Sequence, residues 1–167
     1  MTLSNKEAFL KTAFTLPEVL IAAVLVAVFF AAMFELNGVC LRYISASKES
    51  IGAIEGVHDR LERLRNVDFS TLATASSIKT LLAQAANSSP IVRRAVETVT
   101  IGSYPSGNPL ITYTRAADGT VTCVPATIDF SNTNLVEVDV SSQWQSTFAG
   151  RTRIVRTSSI ISAGTKK

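Results

Sequence analysis

Little in this sequence is equipped for chemistry. Among 167 residues there is one histidine, one tryptophan and only two cysteines. His58 has no cysteine or serine motif beside it, so no nucleophile and base pair is in view. Cys40 and Cys123 are too few and too far apart for a disulfide framework, and no CxxC spacing marks a metal or redox site. A single Cys40 to Cys123 bridge stays open, subject to the close approach that such a bond demands. The carboxylates Asp118, Asp129, Glu137 and Asp139 miss the spacing of a calcium loop. No glycine-rich loop is set to cradle a phosphate. No catalytic residue, cofactor, metal or small-molecule substrate is therefore expected.

Charge is also sparse. Sixteen basic and thirteen acidic residues leave a net +3. Arg93, Arg94, Arg151, Arg153 and Arg156 are scattered through strand-like segments without interleaved aromatics, whereas nucleic-acid binders gather cations on one face beside stacking rings. Nucleic acid is not an expected partner. At this length the chain holds one globular domain of ordinary size.

What the sequence has in abundance is apolar surface near its start. Val19–Phe34 is an unbroken run of sixteen hydrophobic residues. From Phe14 to Phe34 the only charge is Glu18, and at 1.5 Å per helical residue that stretch reaches about 30 Å, the thickness of a hydrocarbon core. The preceding residues 1–13 are polar and contain Lys6 and Lys11, which favour the cytoplasmic side. A secretory signal would place a small-x-small cleavage site after its apolar core. Here Ala31 and Ala32 run into Met33 and Phe34, and the polarity break lies before the run. A plain membrane anchor accounts for everything except Pro17 and Glu18. A carboxylate inside a span needs a partner or a function. Pro17 in a longer helix would withhold an amide from the Ala13 carbonyl. A cut between Ala13 and Phe14 removes that conflict, because the first four amides of a helix have no helical partner. Self-capping of its own helix by Glu18 is the simpler alternative, since a first-turn carboxylate suits a helix start.

Lys11 to Leu20, reading K-T-A-F-T-L-P-E-V-L, resembles the processing site of type IV prepilins and type II secretion pseudopilins: a basic leader, a small residue, Phe, Thr, Leu, a variable residue and Glu ahead of a long apolar helix. The residue before the cut is usually Gly in that family and is Ala13 here. The resemblance implies a leader of residues 1–13 and cleavage between Ala13 and Phe14 by a membrane peptidase that also methylates the new Phe14 amine. It implies an assembly helix containing Leu16, Pro17, Val19 and Leu20. Glu18 and the Phe14 amine of a neighbouring subunit would neutralise each other. The implied partners are other pilin or pseudopilin subunits, the prepilin peptidase/methyltransferase, an inner-membrane assembly platform and membrane lipid. The N-terminus would lie in the cytoplasm and the C-terminal domain in the periplasm before release into an extracytoplasmic filament. A minor pilin or pseudopilin is the leading reading. The alternatives are a single-pass anchored periplasmic binding domain that never polymerises, and a pseudopilin for DNA uptake.

After the membrane segment (14–36) the helix is expected to continue as an amphipathic one over 37–66. Ile51, Ile54, Val57, Leu61 and Leu64 recur at three- and four-residue steps with charged residues between them. Gly38, Gly52 and Gly56 read as local weak points. Residues 67–167 read as a globular domain, beginning with a loop that carries a short helix around Ser77 to Ala86. The period then changes to two, predicting strands at Arg94–Ile101, Leu110–Arg115, Thr120–Val124, Leu135–Trp144 and Arg151–Ile161. Turn chemistry separates them at Tyr104–Pro109, Asp118-Gly119 and Phe148–Gly150. Trp144 is expected to pack as an anchor rather than bind a ligand. The expected fold is α+β and pilin-like: a long N-terminal helix, transmembrane then amphipathic, packed on an antiparallel meander.

Overall fold

The computed structural model describes residues 15–72, 75–126, 130, 133–148 and 150–164. It divides into two compact units, with the boundary between Leu41 and Arg42. One helix, α1 (Leu16–Arg65), contributes to both.

In the first unit α1 is a succession of Ala, Leu, Val, Ile and Phe with its side chains exposed on every side, as in Leu25, Phe29 and Phe34. Such a helix has no polar face to give to water. It is long and apolar enough to cross a membrane.

The second unit combines the rest of α1 with three short helices, α2 (Phe69–Leu72), α3 (Ala75–Ala83) and α4 (Pro90–Arg94), and a five-stranded sheet. The strands are β1 (Val96–Ser103), β2 (Leu110–Arg115), β3 (Val121–Val124), β4 (Leu135–Gln145) and β5 (Thr152–Ser162), all antiparallel. The architecture is the α+β arrangement expected. In β4 the alternation works as read: Val136, Val138 and Val140 are buried, while Glu137, Asp139 and Ser141 stand on the outer face. The strand order is β3-β2-β1-β4-β5, which corrects the simple meander. After β3 the chain returns to pair β4 with the other side of β1. Period-two patterning fixes which face of a strand is buried but carries no information on which neighbour it takes.

The core forms where Val57, Leu61 and Leu64 of α1 meet Ile78 and Leu82 of α3 and the inward side chains of the sheet. A second cluster joins Ala53, Ile91, Val92, Ala95 and Trp144. Trp144 is 5% exposed, the anchor expected of it.

Two differences in α1 share one cause. Ile51 and Ile54, placed by their spacing on the buried stripe, are 52% and 44% exposed, and Gly52, Ala53 and Gly56 are buried instead. Helix α4, which begins with Pro90 at its first turn, seats against this side. A Cβ at Gly56 would lie 2.5 Å from Val92 Cγ2, and one at Gly52 would lie 2.8 Å from Ser89 Oγ. The glycines are therefore the floor of a close helix contact rather than weak points, and the buried stripe is rotated toward them.

Candidate assembly helix and its seat

Thr15 precedes the first turn of α1, and the local sequence Thr15-Leu16-Pro17-Glu18 has the spacing of a capping box. The carboxylate half of that box is present: Glu18 Oε2 accepts from the Thr15 amide at 3.1 Å, and the Thr15 hydroxyl donates to the same oxygen at 3.0 Å. Thr15 was not singled out from sequence, although the T-x-x-E spacing was there to be read. Since α1 starts at Leu16, Pro17 occupies its second position, where its missing amide is one of the orphans of any helix start. The strain assigned to Pro17 from sequence therefore does not arise, with or without a cut at residue 13. Its removal cannot serve as an argument for processing.

Leu16, Val19 and Leu20 are exposed at 77%, 56% and 58%, and the turns that follow continue the same surface to Leu41. Ala13 and Phe14, the expected cleavage and methylation positions, lie outside the described residues. Cys40 is an exposed free thiol on α1. Cys123, also free, sits half-buried on β3, paired in register with Tyr113 on β2. Burial, with a smaller contribution from Cys123, pushes the Tyr113 phenol up to about 12.

In the second unit α1 is held by polar contacts as well as by its core face. Arg60 is fully buried. Its Nε donates to Glu97 Oε1 at 2.6 Å and its Nη2 to Glu97 Oε2 at 3.0 Å, a two-pronged pair with a carboxylate on β1. Its remaining reach closes the end of α3: Nη1 donates to the Leu81 carbonyl at 2.8 Å and Nη2 to the Gln84 carbonyl at 2.6 Å. Guanidinium geometry suits this task, because its donors fan out in one plane. About three turns nearer the start of α1, Glu49 accepts from the Thr147 amide at 3.1 Å and from the Thr147 hydroxyl. Burial tends to raise the Glu49 carboxyl, but the Thr147 bonds, aided by Ser146 and the Arg153 charge, hold it below the usual carboxylate range. Arg153 donates to Ser50 Oγ at 3.0 Å, so the loop after β4 and the start of β5 are both tied to α1. None of these residues stood out in sequence, where they resemble the solvated charges around them.

A groove of about 500 Å³ lies beside these contacts, lined by Glu49, Arg94, Trp144 and Thr147 among others. The Trp144 indole nitrogen is buried without a hydrogen-bond partner among the described residues. His58 is exposed on α1, and no three His, Cys, Asp or Glu side chains among the described residues come together as a metal site. No protein-family model, curated protein or solved structure matches the chain.

Proposed function

We propose that the chain is a structural subunit of a filament, a minor pilin or pseudopilin of a type IV pilus-like or type II secretion assembly, built in through its apolar N-terminal helix. The observation that carries this reading is the helix surface from Leu16 to Leu41. It is exposed on all sides and apolar, with Glu18 as the single charge before residue 35. A surface of that size needs lipid first, and packing against like helices offers it a second apolar environment. The prepilin-like sequence from Lys11 to Leu20 supports the choice of a filament over other membrane assemblies. In this reading, residues 1–13 are removed before Phe14, the new amine is methylated, and the domain faces the periplasm until the subunit leaves the inner membrane.

The contact between Thr15 and Glu18 favours a second reading, a single-pass anchor whose carboxylate serves only its own helix. Two measurements separate them. Intact-mass analysis of membrane-extracted protein should find a chain beginning at a methylated Phe14; retention of residues 1–13 would sink the filament reading. Glu18→Gln keeps an acceptor for Thr15 but carries no charge to neutralise an amine. It should leave membrane insertion normal and strongly reduce the amount recovered in sheared filament fractions. Wild-type recovery of that variant would leave Glu18 as a cap and no more.

A further inference from the structure

We infer that the free edge of β5 is a docking site for an acidic extended segment of a partner protein, which adds to the sheet as a sixth strand. This site is independent of the helix surface that carries the filament reading.

The two edges of the sheet are unlike. β3 is four residues long and runs into Pro125, which has no amide to offer. β5 is eleven residues long. It pairs with β4 in one unbroken register from Thr152↔Gln145 to Ser162↔Leu135. No described strand lies on its other side. Between Thr152 and Ile161 there is no proline or bulge; the charges on this edge, Arg153 and Arg156, are basic, so they discourage a like strand and leave the backbone ladder open to an acidic one. A straight edge of that length offers a partner a ladder of backbone hydrogen bonds, the basis of recognition by strand addition.

Charge selects the occupant. From Ser141 to Lys167 the chain has no acidic residue, and Arg151, Arg153 and Arg156 lie at or next to β5. On its paired side β5 already lies along an acidic strand: Arg156 Nη2 donates to Asp139 Oδ2 of β4 at 2.7 Å. The sequence of β4, L-V-E-V-D-V, alternates apolar residues with carboxylates and so shows the kind of segment that fits beside β5. A second copy of β5, paired antiparallel over its full length, would set Arg153 against Ile161 and Arg156 against Ser158, so it brings more positive charge to this edge and no carboxylate to meet it. Ile154 and Ile160 on the outer face, 63% and 50% exposed, give an incoming strand apolar side chains to pack beside.

The test uses the full chain in detergent micelles and a fluorescein-labelled peptide copying Leu135–Gln145. A control peptide has lysine in place of both acidic residues. Anisotropy should show saturable binding of the acidic peptide and at least tenfold weaker binding of the control. Hydrogen exchange should slow within 152–161 without quickening in β4. Successive amides of an edge strand alternate between the paired and the free side, so either Thr157→Pro or Ser158→Pro removes only a free-edge donor. The variant of that pair that keeps its melting transition, and separately Arg151→Glu, should each weaken binding at least tenfold. No saturable binding, equal binding of both peptides, protection away from β5, or self-association through β5 would each overturn the proposal.

Discussion

Replacing Arg60 with alanine should be among the most damaging single changes in the second unit, and the structure says by how much. The substitution deletes four hydrogen bonds and strands the Glu97 carboxylate, which is 5% exposed, without its cation. Breaking a buried ion pair by removing one partner costs about 3–5 kcal/mol. Domains of this size are stable by about 5–15 kcal/mol, so the variant should sit near the edge of folding. Urea unfolding of the full chain in detergent, followed by the fluorescence of Trp144, measures the loss. A companion variant, Arg60→Met with Glu97→Leu, removes the stranded charge and fills the space. It should recover most of the loss, leaving the Leu81 and Gln84 carbonyls unpartnered at a cost of about 1–3 kcal/mol. A loss below about 1 kcal/mol for Arg60→Ala, on the scale of an exposed pair, would refute the reasoning. So would a double variant no better than the single one.

Gly56→Ala should destabilise the same unit. About 1 kcal/mol of helix propensity is gained against about 1–3 kcal/mol of overpacking on Val92, and in a Val92→Ala background the same change should become neutral or stabilising by calorimetry. Glu49 gives a pH dependence. Its folded carboxyl titrates below the ordinary range, so its stabilising contribution is complete above the unfolded value of about 4.3 and is lost as pH falls through the lower folded value. Protection of the Thr147 amide against hydrogen exchange should fall over that acid range, and Glu49→Gln should flatten the response. A profile that collapses above pH 6 would point to another group.

The apolar run and the strands were legible because each is a repeated signal. A membrane-length helix declares itself over twenty residues, and five runs of period two gave strands whose ends moved by no more than two residues. Features that depend on a single residue meeting a distant one were not legible. Arg60 sits among Asp59, Glu62, Arg63 and Arg65 and looks like one more solvated charge until β1 and the end of α3 are set against it. Gly52 and Gly56 look like helix weakness until α4 arrives, and α4 itself is five residues long, too short to show a period. Ile51 and Ile54 were misplaced for the same reason: a stripe read from hydrophobicity alone gives glycine no credit for allowing close approach. At the N-terminal end the opposite happened. The contact between Thr15 and Glu18 is local and was readable, but Pro17 drew attention to a carbonyl four residues upstream instead of to where the helix would start.

Arg60 also bears on the order in which this unit can assemble. Its partners lie 37, 21 and 24 residues further along the chain. A helix formed early, before β1 and the end of α3 are in place, must keep that guanidinium in water, because burying it alone is too costly. The inner face of α1 is thus held open by its own side chain until both of these distant pieces are ready to receive it. Docking of α1 on the sheet is therefore tied to the arrival of β1 and the end of α3, the two pieces that satisfy Arg60.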